Sequence, residues 1–137
     1  MDGVGRARID EGAEEFFTSL RRPLGITALG LNQIVLRPRQ RLRIHRHRRQ
    51  EEVYLVLRGT LTVELDGGRL EVLGPGELLG VASHVRRQIS NRGEEPCVVV
   101  AIGAAGEHES RDGEAFPDWA VTEPRPPQEV ALPPDLE

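Results

Sequence analysis

The sequence predicts an all-β fold, an antiparallel jelly-roll barrel, and three observations carry that expectation. Beyond residue 26, short apolar runs alternate with strong turn signals: Asp66-Gly67-Gly68, Gly74-Pro75-Gly76 and Asn91-Arg92-Gly93. Between 60 and 65, Leu61, Val63 and Leu65 alternate with Thr60, Thr62 and Glu64, the period of a half-buried strand. The composition points the same way, with aromatics at only 4% and 15 Gly and 10 Pro among 137 residues, which favours short strands over long helices.

Taken in order, residues 1–12 are polar and Gly-rich and read as a loosely held segment. Residues 14–20 predict a short helix that lays Phe16, Phe17 and Leu20 on the core, with Arg21, Arg22 and Pro23 ending it. Strands are expected at 28–36, 41–47, 52–57, 60–65, 70–73, 78–82, 85–90 and 97–102. Residues 53–57 show no polar alternation and read as buried on both faces, with a second sheet on one side. A second copy of the chain on the other side would make a homodimer. After Gly103 the composition changes, and six of the ten prolines lie between Pro117 and Pro134. The expected division is therefore an N-terminal segment at 1–25, a barrel at 26–103 and an extended Pro-rich tail at 104–137. Phe116 and Trp119 are the anchors that would pin this tail to the barrel or to a partner.

Composition excludes several classes of function. A formal net charge of -4 argues against general nucleic-acid affinity. Every basic residue is arginine, so lysine Schiff-base and lysine general-base chemistry are ruled out. The single cysteine, Cys97, opens an apolar run and reads as a small core residue. With no apolar stretch long enough to span a membrane and no signal-peptide core, a cytoplasmic protein is expected.

The chemistry concentrates between Arg41 and Gly59. His45 and His47 stand two apart, so on a strand both imidazoles project from one face. Glu51 and Glu52 follow a turn, and either carboxylate could face the histidines, since the turn resets strand parity. If Glu52 points inward, Tyr54 and Val56 follow it. Arg41, Arg43 and Arg49 share the parity of the histidines. Arg41 and Arg49 read as a solvated rim, and an inward Arg43 would make the pocket cationic. His108 reads as exposed.

His45-x-His47-x4-Glu52-x6-Gly59 resembles the first motif of the cupins, in which two histidines and a glutamate bind a divalent metal inside a small β-barrel. The resemblance implies metal ligands at His45, His47 and Glu52 and a divalent ion such as Fe, Mn, Ni or Zn. Where the family places a glycine six residues before the first histidine, this chain has Arg39. Pro75-Gly76-Glu77 and Asn91 fit the opening and close of the second motif, but its third metal histidine aligns with Arg87. A shortened loop would instead bring His84 to that place as an alternative ligand.

A guanidinium stays protonated and offers no lone pair, so Arg87 cannot coordinate a metal. Three outcomes stay open: Arg87 grips an anionic ligand beside a three-ligand metal, it pairs with Glu52 in a metal-free site, or it faces solvent. The expected function is binding of a small anionic molecule in the barrel, with Arg87, Arg43 and Tyr54 as ligand-binding residues. The metal would support oxygenase- or isomerase-type chemistry. The competing reading is a metal-free binding or sensing module.

Overall fold

The computed structural model describes residues 2–104 and 112–137, so the expectation for His108 lies outside the described residues. Ten strands are described: β1 (Phe17–Ser19), β2 (Gly30–Leu36), β3 (Ile44–His47), β4 (Glu51–Arg58), β5 (Leu61–Leu65), β6 (Arg69–Leu73), β7 (Leu78–Val81), β8 (Arg87–Ser90), β9 (Cys97–Ala104) and β10 (Gly113–Phe116). They form two five-stranded sheets, ordered β1-β2-β9-β4-β7 and β10-β3-β8-β5-β6, with every neighbouring pair antiparallel. Consecutive strands fall in different sheets over much of the chain, which is how a jelly roll wraps. The predicted all-β barrel is therefore the observed fold. None of the described helices is long and apolar enough to cross a membrane.

Alternating side chains from both sheets build the core. Leu36, Val56, Leu61, Val63, Cys97 and Val98 are all fully buried. Ile34, Leu42, Tyr54 and Ile89 belong to the core cluster and also line a cavity between the sheets, so the apolar interior runs directly into it.

Two motif positions show why the backbone demands particular residues. Gly59 has φ 76, and a Cβ there would lie 2.4 Å from Pro96 O and 2.9 Å from Cys97 Cα. Both the left-handed backbone and the close approach of the 96–97 segment require glycine. Arg39 is the one non-glycine with positive φ among the described residues, at 76. Where the motif has glycine, an arginine here adopts the left-handed region that favours glycine. The turn is held by Arg39 N donating to Asn91 O (2.9 Å) and Asn91 N donating to Gln40 O (2.9 Å). Asn91 is fully buried, and its Nδ2 donates to Leu36 O and Glu95 O.

The N-terminal expectation is corrected. Residues 17–19 form strand β1 rather than a helix, and the helix is a single turn, α1 (Arg21–Leu24), ended by Gly25 at φ 70. The cause is tertiary: β2 has an open edge, and Phe17, Thr18 and Ser19 pair with Ile34, Gln33 and Asn32 along it. Pro23 sits within this one turn, where its missing N–H costs little. Phe17 is 50% exposed, so it is not the core anchor that helical spacing suggested; Leu20 is buried.

Further corrections concern strand ends and faces. β3 begins at Ile44, with Arg41 making only an isolated bridge to Ser90, and β8 begins at Arg87 because 82–85 form a turn. β4 is not buried on both faces. Tyr54 and Val56 are buried, whereas Val53 and Leu55 are half-buried and Leu57 is exposed. A run without polar residues hid a one-sided strand.

The tail is more than extended chain, because β10 completes the second sheet by pairing with β3 from Gly113↔His47 to Phe116↔Ile44. Phe116 is buried, and the Arg86 guanidinium stands over both its ring (5.1 Å) and that of Trp119 (5.5 Å). Arg43 Nε donates to Val130 O (2.7 Å), and Arg41 Nε donates to Pro134 O (2.8 Å). Arg41 thus holds the tail rather than standing free in solvent.

Candidate metal centre

β3 carries His45 and His47 in one sheet, and β4 carries Glu52 and Tyr54 in the other, so the site forms where the sheets face each other. On each strand the two residues are two apart and project together. The His45 and His47 rings lie 5.2 Å apart and are nearly perpendicular. His45 Nε2 is 3.4 Å from Glu52 Oε1, and His47 Nε2 is 3.5 Å from Glu52 Oε2. The ligand atoms of His45, His47 and Glu52 all lie within 4.8 Å of one another, a set that could hold a metal ion. Glu51, the rival carboxylate, is exposed.

One test of fit lies in the atoms left over. His47 Nε2 is buried and has no hydrogen-bond partner, although it faces Glu52. Buried polar atoms rarely stay unsatisfied, and a cation between the two groups would complete both. Two imidazoles and one carboxylate, with further positions open, suit Fe, Mn, Ni or Zn.

Arg87 stands behind this cluster. Its Cα is the register partner of His45, and its side chain is fully buried with Nε 3.5 Å from Glu52 Oε1. Nη1 donates to Val85 O (2.6 Å), while Nε and Nη2 have no hydrogen-bond partner. The solvent-facing outcome is therefore excluded. Arg87 is not among the residues lining the cavity, so it reaches the site through Glu52. His84 is exposed on the preceding turn and is not part of the cluster.

The electrostatics follow from burial and partners. Burial raises the Glu52 pKa, but the imidazoles of His45 and His47 that face it and the Arg87 guanidinium outweigh it, leaving the carboxyl well below its usual range. Tyr54 Oη donates to Glu52 Oε1 at 2.5 Å. Burial, followed by the Glu52 charge, pushes the Tyr54 hydroxyl well above its ordinary value, so it stays a neutral donor. Cys97 is fully buried and its thiol is pushed up to about 12 by burial, which makes it an inert core residue.

The cavity in front of the cluster has a volume of about 880 Å³, well suited to a small molecule. His45, His47, Glu52 and Tyr54 line it together with Arg43 and Arg48. Sequence reasoning missed Phe17, Asn32, Arg48 and Gln128, which also line it. Phe17 was hidden by the helical reading. Gln128 comes from the tail, where no motif marks it.

The cupin domain profile matches residues 32–103. No curated protein matches the chain. Among solved structures, a cupin protein from Bacteroides fragilis is similar with a TM-score of 0.65 and 23% identity, covering 77% of this chain and 86% of that one. A Cupin 2 conserved barrel domain protein from Salinispora arenicola gives 0.64 and 15%, covering 75% and 90%. A sugar phosphate isomerase of the cupin superfamily from Silicibacter pomeroyi gives 0.58 and 24%, covering 74% and 68%. At these identities the structural neighbours speak for the fold. The profile spans more than half of the chain, and this protein belongs to the cupin family.

Proposed function

We propose that this cupin binds a small anionic molecule, of the size and charge of a sugar phosphate, at a divalent metal held by His45, His47 and Glu52. The observation that carries this reading is the convergence of those three ligand groups in a cavity of about 880 Å³ that also displays Arg43 and Arg48. The metal, when bound, would supply Lewis-acid polarisation of a carbonyl or another oxygen of the ligand, as isomerase- or oxygenase-type chemistry needs. Arg43 and Arg48 attract and orient the anionic end, as guanidinium groups do for phosphate or carboxylate. Phe17, Ile34, Leu42 and Ile89 offer the ligand an apolar surface in the same cavity. Tyr54 fixes one Glu52 oxygen by its hydrogen bond, which leaves Oε2 on the His47 side for the ion. The isomerase neighbour supports the sugar-phosphate class of ligand by its fold and description alone.

The second reading is a metal-free binding module, and one observation favours it: the Arg87 charge lies 3.5 Å from Glu52 Oε1, where a cation already meets the carboxylate. Metal content decides between them. Protein purified without added ions carries about one divalent metal per chain, lost in His47→Ala, if the first reading holds. No metal in either protein, with sugar phosphate still bound in calorimetry, supports the second.

We further propose a cytoplasmic homodimer that buries the exposed Leu57 and Leu78, which lie on the neighbouring strands β4 and β7. Light scattering of the native protein and of Leu57→Glu would distinguish a dimer from a monomer.

A further inference from the structure

Asp112 lies outside the three candidate ligands and beyond the residues matched by the cupin profile, yet it stands directly behind one of those ligands. Its Oδ2 is 3.8 Å from His47 Nδ1, on the side of the ring away from Glu52. The residue is 3% exposed. Oδ2 accepts the backbone amides of Arg49 (3.0 Å) and Gln50 (2.8 Å), which form the turn separating His47 from Glu52. Arg48 N in turn donates to Asp112 O (3.0 Å), so this one residue holds three consecutive amides of the turn.

His47 Nδ1 is buried without a hydrogen-bond partner, and the carboxylate oxygen that approaches it is Asp112 Oδ2; the second oxygen, Oδ1, is buried and has no partner of its own. A neutral imidazole carries its proton on one nitrogen and a lone pair on the other. For Nε2 to offer a lone pair to a cation on the Glu52 side, the proton must sit on Nδ1, and a buried Nδ1–H needs an acceptor. Asp112 is the carboxylate beside that atom, anchored by its other bonds so that a small ring rotation completes the contact. Glu52, on the opposite side, would pull the proton to Nε2.

We infer that Asp112 is a positioning residue of the site. It holds His47 as the Nδ1–H tautomer with Nε2 turned to the Glu52 side, and it fixes the turn that spaces the ligands. Carboxylates behind metal-binding histidines act in this way, and their loss typically weakens metal binding by about 10–100-fold. The consequence for metal rests on the function proposed above, whereas the tautomer is read in protein without metal.

The test compares native protein with Asp112→Asn and Asp112→Ala. Nitrogen NMR of the metal-free proteins at alkaline pH, where imidazoles are neutral, reads the His47 tautomer, and calorimetry reads Co²⁺ affinity. Native His47 is expected as Nδ1–H. In Asp112→Ala the proton moves to Nε2 and Co²⁺ affinity falls by about 10–100-fold. Asp112→Asn keeps an oxygen on the turn amides but loses the charge, and it shows the same shifts in smaller measure. The inference is overturned if native His47 carries its proton on Nε2, or if both variants keep the native tautomer. Should native protein bind no Co²⁺, the metal reading fails, and the tautomer still decides the role of Asp112. Should Asp112→Ala fail to fold, the asparagine variant decides.

Discussion

Arg87 Nε lies 3.5 Å from Glu52 Oε1, and that same oxygen accepts the Tyr54 hydroxyl at 2.5 Å. The carboxylate is thus held from one side by a guanidinium and a phenol and faces two imidazoles on the other. The site is a compromise in which one negative charge serves both a fixed cation and a candidate metal.

Removing that fixed cation has a cost. Arg87→Met leaves the half-buried Glu52 without its guanidinium, and stability in urea denaturation should fall by about 3 kcal/mol. Arg87→His replaces a repelling charge with a ligand, and Co²⁺ affinity should rise by about tenfold or more, equivalent to about 1.4 kcal/mol. Unchanged Co²⁺ affinity would mean that position 87 does not stand at the ligand corner.

Tyr54→Phe deletes the hydroxyl that meets Glu52 and leaves the ring in place. A hydrogen bond to a charged group contributes about 1.5–3 kcal/mol, so a loss in that range is expected in urea denaturation. A loss below about 0.5 kcal/mol, the level of an inconsequential substitution, would show that the hydroxyl does not restrain the carboxylate.

Acid should unfold the protein partly through Glu52. Its pKa is lower folded than unfolded, so its contribution is present above the unfolded value near 4.5 and is lost as pH falls through the folded one. The pH dependence of stability below about 4.5 should therefore be shallower in Glu52→Gln than in native protein. Equal slopes would place the acid sensitivity elsewhere.

Cys97 behaves oppositely. Its thiol is raised from 9.0 to about 12, so the contribution is complete below pH 9.0 and declines as pH climbs toward 12. Native protein should resist alkylation at neutral pH, and modification should track global unfolding. Fast labelling of folded protein would contradict the burial of this residue.

Gly59→Ala tests the hairpin of the first motif. With φ at 76 and Pro96 O only 2.4 Å from the added Cβ, the substitution should cost about 3 kcal/mol, read as a fall in urea midpoint.

The sequence by itself determined eight of the ten described strands, the turns between them and three chemical groups. Period-two alternation, Gly-rich turns and the spacing of His45, His47, Glu52 and Gly59 are local properties, and local properties survive in a single chain. Parity across the β3–β4 turn was open, and the tertiary structure resolved it by burying Tyr54 and Val56 while leaving Glu51 exposed. The N-terminal strand depended on the free edge of β2, which no local pattern records. The same holds for Asp112, whose carboxylate caps an amide 62 residues earlier in the chain, and for Gln128, carried to the cavity by the tail. Arg87 shows the division most plainly: its charge was legible, but only the register with His45 shows that it meets Glu52 rather than solvent. Residue type and spacing are written in one dimension, whereas which buried charge meets which is decided when the two sheets close on each other.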